Sequence, residues 1–284
     1  MPRNDFILTL SCPDRTGIVY NVSGLLLKHL GNIIDAQQFG DEETGRFFLR
    51  VHFALPEGAP IDQLDEDFKS LADQFQMEWN IHDAQRKARL LILVSKQGHC
   101  LNDLLFRVHS KQLHAEVVGI VSNHRDFENM AQANCVPFHY LPVTPETKAQ
   151  QESQIIAIAE KERSDLVVLA RYMQILSPEL CKALQGRAIN IHHSFLPSFK
   201  GARPYYQAHA RGVKIIGATA HYVTHDLDEG PIIEQDIERV DHAMSAQDLT
   251  QVGSDVESLV LSRAVRSHVE HRILLNGSRT VVFR

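Results

Sequence analysis

The sequence predicts an α/β protein with two domains: a small β-α-β-β-α-β domain, followed by a larger domain built on a mostly parallel sheet. Two observations support this. Up to about residue 84, short strand-like runs with alternating apolar residues flank helix-like periods. Beyond residue 90, unbroken apolar runs alternate with helical segments, which is typical of parallel strands covered on both faces. A chain of 284 residues is long enough to give each domain its own core.

The first domain, residues 1–84, is predicted to be a ferredoxin-like sandwich because of its element order. The alternation over 47–55 predicts a strand buried on one face only, and Gly31-Asn32 marks a helix end. The predicted elements are a strand at 6–11, a helix whose buried face carries Ile18, Val22, Leu25 and Leu26, strands at 33–38 and 47–55, a helix at 61–76, and a strand from Glu78.

The second domain, residues 85–284, begins in the polar linker 83–89 and is predicted to be an open, Rossmann-like sheet. Ligands in such sheets bind at the carboxyl ends of strands, and the turn after Thr224 is expected there. The predicted strands are 90–94, 115–122, 165–171, 188–193 and 214–224, and a closing strand at 280–283 follows the Asn276-Gly277 turn. The predicted helices are 100–113, 125–134, 146–162 and a long one marked by Leu249, Val252, Val256, Leu259 and Val260.

Composition narrows the class of protein. The net charge of −6 gives the chain no overall attraction to nucleic acid or to an anionic membrane. The four cysteines show no Cys-x-x-Cys spacing, so no metal site is expected and a reducing compartment is indicated. No signal pattern or membrane-length apolar run is visible. We therefore expect a cytoplasmic enzyme or sensor.

Asn190, His192 and Asp228 form the candidate catalytic set. Asn190 and His192 are two residues apart on a predicted strand and so share a face. Asp228 follows in an acidic turn, where Asp226 is the competing acid. An amide and a protonated imidazole can stabilise an oxyanion, and a carboxylate can orient water or remove its proton. His221 is a candidate supporting residue, and a packed strand histidine is an equally good interpretation of it.

Three segments resemble the folate-dependent formyltransferase family. They are Asn190-Ile-His192 followed by Ser194-Phe-Leu-Pro197, the turn Leu227-Asp228-Glu-Gly230, and the strand and loop 165–178. The resemblance covers the chain from about Leu90 onward and favours Asp228 over Asp226, because Asp228 is the acid two residues before the glycine.

The resemblance implies a folate pocket formed by two backbone segments. Lys200 and Arg203 are possible partners for substrate anions, and surface charge explains them nearly as well. His193 and His225 flank the site, and several relatives carry Pro or Ala at the position of His193. The implied substrate-binding residues are Met173, Gln174, Ile175, Leu176, Val223, Thr224, His225, Asp226 and Leu227.

The N-terminal segment Cys12-Pro-Asp14-Arg15-Thr-Gly17 resembles the ACT family of regulatory domains. The resemblance implies a small amino-acid effector bound near Asp14, Arg15 and Gly17, and a homo-oligomer. A simple glycine turn with a helix cap is an equally good interpretation of these residues.

Together the two resemblances imply an enzyme that hydrolyses 10-formyltetrahydrofolate to formate and tetrahydrofolate and supplies formate to purine synthesis, with no cofactor beyond this substrate. Formyltransferases with a phosphorylated amine acceptor carry a glycine-rich phosphate loop after the first strand. Here residues 95–102 contain one glycine and the bulky His99, which favours water as acceptor. Formyl transfer to an amine such as glycinamide ribonucleotide, or a catalytically inactive sensor, are the alternatives.

Overall fold

The computed structural model describes residues 4–194 and 204–284. Its contacts divide the chain into two compact units, one formed by Met1–Lys87 with Glu270–Arg284 and the other by Ala88–Val269. The predicted extent of the second domain, 85–284, is therefore wrong at its end, because residues 270–284 belong to the first unit.

The first unit contains a four-stranded antiparallel sheet in the order β2-β3-β1-β4, which confirms the ferredoxin-like prediction. Both helices pack on the face that carries Leu8, Leu10, Val51 and Phe53, and Phe68 of the second helix is fully buried there. The elements are β1 (Asn4–Pro13), α1 (Ile18–Lys28), β2 (Asn32–Asp41), β3 (Arg46–Leu55), α2 (Ile61–Phe75) and β4 (Glu78–Asp83).

The second unit contains a seven-stranded sheet in the order β11-β10-β9-β8-β5-β6-β7. Strands β7, β6, β5, β8 and β9 are parallel, as predicted, while β10 and β11 pair antiparallel. The elements are β5 (Ala88–Val94), α3 (His99–His109), β6 (Ala115–Ser122), α4 (Glu128–Ala133), β7 (Phe138–Tyr140), α5 (Lys148–Lys161), β8 (Leu166–Leu169), α6 (Pro178–Ala183), β9 (Ala188–His192), α7 (Pro204–Ala210), β10 (Ile215–Tyr222), β11 (Ile232–Arg239) and α8 (Ala246–Val269).

The unbroken apolar run 90–94 is fully buried at the centre of this sheet, because helices cover both faces of parallel strands. Strands β7 and β11 were missed by the sequence pattern. The first has only three residues, and the second is an edge strand with mostly polar or exposed positions. Among the described residues, no helix has the length and apolar character needed to cross a bilayer.

Strand β10 corrects the expected place of the turn after Thr224. Because β10 is antiparallel to β9, its last residue, Tyr222, pairs with Ile189 near the start of β9. The turn therefore begins beside the amino end of β9 and not at the carboxyl ends of the parallel strands. Its later residues return toward His192, as the site geometry below shows.

The outer face of β3 is also largely buried, so the prediction that β3 is buried on one face only is wrong. Phe48 is 0% exposed and Arg50 is 8% exposed. The C-terminal hairpin of β12 (Ile273–Asn276) and β13 (Arg279–Val282) and the residues before it belong to this unit. Arg50 donates hydrogen bonds to the carbonyls of Glu270 at 3.1 Å and His271 at 3.2 Å. These contacts attach the C-terminal segment to β3.

Arg50→Ala is expected to lower the free energy of unfolding of this unit by about 2 kcal/mol, because two main-chain carbonyls lose a charged donor. Trp79 on β4 is the only tryptophan in the chain, so its fluorescence during urea unfolding measures this unit. Arg46→Ala is the matched control on the same strand. Its partner Glu78 is 81% exposed, and a loss below about 1 kcal/mol is expected. Equal losses in both variants would contradict the proposed attachment.

Candidate active site

Three side chains meet on one face of the sheet where β9 pairs with β10. Asn190 and His192 are two residues apart on β9 and point to the same face. His221 on β10 lies directly opposite Asn190 in the antiparallel register, so it shares that face. The pairing of β10 with β11 is irregular beside His221, and bulges of this kind redirect side chains next to active sites.

Hydrogen bonds fix the ring of His221 and the amide of Asn190. Nδ1 of His221 lies 2.9 Å from the main-chain oxygen of Tyr222, and because a carbonyl only accepts, Nδ1 carries the proton. Nε2 of the neutral ring then accepts from Nδ2 of Asn190 at 3.3 Å. Among residues 4–194 and 204–284, the second N–H of the Asn190 amide has no hydrogen-bond partner, so it can donate to a ligand. His221 therefore orients Asn190 directly.

Asp228 completes the cluster from the loop between β10 and β11. Its Oδ1 lies 3.3 Å from Nδ1 of His192 and 3.7 Å from Nε2 of His221, the second distance being too long for a hydrogen bond. Asp228 has φ 59°, in the left-handed region. A Cβ at Gly230 would lie 1.7 Å from the oxygen of Tyr222. Only glycine permits this close return of the loop.

The charge of Asp228 is fixed by its neighbours. Hydrogen bonding to His192 holds the pKa of Asp228 well below its ordinary value even though burial opposes ionisation. The carboxylate accepts only, so the proton of His192 lies on Nδ1 and Nε2 remains for a ligand.

Asp226, the competing acid, lies away from the cluster. Its Oδ2 pairs with Nε2 of His225 at 3.1 Å, and the two side chains are 59% and 74% exposed. An exposed pair of this kind is well solvated. The geometry therefore favours Asp228 as the acid that acts with Asn190 and His192.

A cavity of about 310 Å³ opens beside this cluster. Its lining includes every residue expected to bind substrate, together with Asn190, His192, His221 and Asp228. Three apolar side chains around it are largely exposed, namely Met173, Ile175 and Leu227. A cavity with an apolar margin and a few converging polar groups suits a flat heteroaromatic ligand. Lys200 and Arg203 lie outside the described residues, as does the Phe-Leu-Pro sequence at 195–197.

The sequence analysis missed a second charged group next to this cavity, centred on Arg171 and Glu257. Both side chains are buried, and Nε of Arg171 lies 3.3 Å from Oε2 of Glu257. A signal was available in the sequence, because Glu257 falls between Val256 and Val260 on the buried side of the predicted C-terminal helix. A charge at such a position indicates a buried partner.

Glu257 also belongs to a group with metal-ligand chemistry. His99, Cys100 and Glu257 bring potential ligand atoms within 4.8 Å of one another. However, Oε2 of Glu257 lies 2.7 Å from Nε2 of His99, and the Arg171 guanidinium faces the same carboxylate. Burial raises the pKa of the Cys100 thiol, and a protonated thiol is a poor ligand. The group is therefore better suited to ion pairing than to binding a cation.

The segment 95–102 makes side-chain contacts with other parts of the same unit. A Cβ at Gly98 would lie 2.3 Å from Cε1 of Phe127, so the single glycine here makes room for that ring. His99, the next residue, turns its ring toward Glu257. These contacts differ from those of a glycine-rich loop around a phosphate, in which backbone N–H groups surround the ligand.

The candidate effector residues lie at the turn between β1 and α1 and are all exposed. Gly17 has φ 93° and is the N-cap of α1. The guanidinium of Arg15 lies over the Phe75 ring, 4.3 Å from its centroid, and the main-chain N–H of Asp14 bonds to the oxygen of Gly45. These contacts hold the turn, and effector binding by it remains a prediction.

The fold and the site define the class of protein. A family model described as Formyl transferase matches residues 88–265, a range that includes Asn190, His192 and Asp228. The resemblance drawn from the sequence motifs is therefore confirmed.

Relatives that match the whole chain narrow this class. A protein of Corynebacterium sp. (strain P-1), named formyltetrahydrofolate deformylase, is 49% identical over 280 residues, which cover 98% of each chain. The crystal structure of formyltetrahydrofolate deformylase from Burkholderia mallei ATCC 23344 has a TM-score of 0.95 at 53% identity and covers 99% of this chain and 100% of that one. Glycinamide ribonucleotide transformylase 1 from Symbiobacterium toebii is more distant, with a TM-score of 0.65, 27% identity, and coverage of 70% and 95%. This chain belongs to the formyltetrahydrofolate deformylase family.

Proposed function

We propose that the protein hydrolyses 10-formyltetrahydrofolate to formate and tetrahydrofolate. The observation that carries this proposal is the cluster of Asn190, His192 and Asp228 beside a 310 Å³ cavity, in a chain whose full-length relatives bear the deformylase name. The cluster also counts against an inactive sensor, because a domain without catalysis has no need for this arrangement.

Asn190 and His192 stabilise the oxyanion. Water attacks the formyl carbon, and the formyl oxygen takes the negative charge of the tetrahedral intermediate. The second N–H of the Asn190 amide and the Nε2–H of protonated His192 are the available donors. Removing one such donor typically raises the barrier by about 3–4 kcal/mol.

Asp228 orients the attacking water and accepts the Nδ1 proton of His192. The carbon–N10 bond breaks when N10 gains a proton, and the attacking water loses one. The Asp228–His192 pair carries that proton from water to N10, and the two groups titrate as a unit. The oxygen of water remains in formate, and tetrahydrofolate leaves with the nitrogen protonated.

The folate ring system fits the two backbone segments 173–176 and 223–227. Both line the cavity, and their N–H and C=O groups can match the alternating donors and acceptors of a pterin. The apolar side chains of Met173, Ile175 and Leu227 would cover the ring faces. This assignment explains why largely exposed apolar side chains are grouped here.

The first unit is proposed to regulate the enzyme and to assemble it into a homo-oligomer. None of its described residues lines the 310 Å³ cavity, which favours a role outside the chemistry. Its ferredoxin-like sheet and the exposed turn at Asp14, Arg15 and Gly17 suit capture of a small amino acid.

Formate release is expected without any amine acceptor, because water is the nucleophile. Purified protein incubated with 10-formyltetrahydrofolate should release formate and tetrahydrofolate in equal amounts, and added chelator should leave the rate unchanged. Formate release is measured enzymatically and tetrahydrofolate by absorbance. Consumption of substrate only in the presence of glycinamide ribonucleotide would instead support the transferase alternative.

Asp228→Asn is expected to reduce kcat by about two orders of magnitude or more, a typical loss when proton-transfer help is removed. It keeps the side-chain shape, so KM should change little. Asp226→Asn is the matched control in the same loop. Because its charge is exposed, its effect on kcat should be less than about threefold. A larger effect at Asp226 would transfer the catalytic assignment to that residue.

An amino acid at millimolar concentration is expected to change the hydrolysis rate of the full-length enzyme at least about twofold, because an effector that prefers one conformational state shifts the population. Asp14→Ala should abolish the response. Glu66→Ala, an exposed acidic residue of the same unit, should retain it. Light scattering checks the oligomer. If none of the twenty amino acids changes the rate, the unit serves assembly alone.

A further inference from the structure

A second cavity, of about 410 Å³, adjoins the first. The two cavities share four lining residues, Arg171, Met173, Gln174 and His193, which we call the shared wall. The folate pocket proposed above occupies the first cavity. The second is a further space next to the reaction centre.

Arg171 holds the wall in place through three partners. Its Nη1 lies 2.9 Å from Nδ1 of His193, its Nε and Nη2 donate to Oε1 of Gln97 at 2.8 and 2.6 Å, and Nε lies 3.3 Å from Oε2 of Glu257. The side chain is buried, and its backbone has φ 64°. A non-glycine residue adopts this conformation only where its surroundings enforce it.

Glu257 anchors Arg171 from α8. The carboxylate is 1% exposed and also accepts hydrogen bonds from the hydroxyl of Tyr205 at 2.6 Å and from His99 at 2.7 Å. Burial alone would raise the pKa of Glu257, but His99, Arg171 and Tyr205 together lower it, so the group is charged. Gly253, one turn earlier, leaves room for the Tyr205 ring, which a Cβ would meet at 2.1 Å.

These contacts define the state of His193. Burial, and then the charges of Arg171 and His192, lower the pKa of His193 to about 4, so the ring is neutral near pH 7. A guanidinium only donates, so Nδ1 of His193 accepts and Nε2 carries the proton. The ring stacks on His192, with centroids 4.8 Å apart. His193 is therefore fixed beside the reaction centre.

We propose that His193, held by the Arg171–Glu257 pair, determines specificity for water by closing the reaction centre on the side of the second cavity. Water needs only one small site next to the formyl carbon. An amine acceptor must also place its substituent, and the space for it lies beyond His193. This inference rests on the proposed hydrolysis.

The test measures the partition of the formyl group between water and glycinamide. In transfer, the glycinamide nitrogen attacks the formyl carbon and loses a proton, the carbon–N10 bond breaks and N10 gains a proton, so the products are N-formylglycinamide and tetrahydrofolate. The unaltered enzyme should give formate only. His193→Ala should raise the ratio of N-formylglycinamide to formate at least tenfold above background, in proportion to glycinamide concentration.

Two further variants sharpen this test. His124→Ala enlarges the second cavity but changes no residue of the shared wall. This variant should give formate only. In His193→Asn the side chain is shorter but still offers an acceptor to Arg171. This variant should therefore keep the fold and also raise the ratio. An unchanged ratio in both His193 variants, with hydrolysis intact, would overturn this inference alone. Absence of formate release by the unaltered enzyme without glycinamide would overturn the proposed function and this inference together.

Discussion

The antiparallel pairing of β10 with β9 is the constraint on which the site depends. The last parallel strand carries Asn190 and His192 on one face, and only a neighbour in this register brings His221 opposite Asn190. Nδ1 of His221 then donates to the Tyr222 carbonyl, and its Nε2 accepts from the Asn190 amide. A slip by one residue would move His221 to the other face of the sheet, and the amide would lose its orientation.

The same pairing starts the loop between β10 and β11 at the opposite end of β9 from His192. Because β10 ends near the start of β9, the carboxylate must return over the strand face to reach His192. The left-handed backbone of Asp228 and the close approach of Gly230 to Tyr222 make that return. The Asp-x-Gly spacing is thus a backbone requirement as well as a chemical one. Such strain persists only where the surrounding structure enforces it.

Much of the fold and of the candidate site could be predicted from the sequence, and the predictions that were wrong have physical causes. Apolar periodicity located the central strands and helices α1 to α5 and α8, but not the short helices α6 and α7. Residue spacing placed Asn190 and His192 together. Periodicity reports burial but not what covers a face, so the alternation in β3 concealed the C-terminal segment bound by Arg50. The sequence pattern also does not reveal the direction of a strand. The turn after Thr224, which follows the antiparallel β10, was therefore predicted at the wrong end of the sheet. The pairing of Arg171 with Glu257 joins residues far apart in sequence, which local patterns do not connect.

Two adjacent histidines at the site have opposite electrostatic surroundings. His192 faces the carboxylate of Asp228, whereas His193 faces the guanidinium of Arg171. Burial and the charge of Arg171 lower the pKa of His193, whereas Nδ1–H of His192 donates to the carboxylate of Asp228. The two stacked rings therefore meet groups of opposite charge. Glu257 neutralises Arg171 at the same time, so the guanidinium can fix His193 without adding a net positive charge beside His192. The buried ion pair is therefore compatible with the protonated His192 that the proposed mechanism requires.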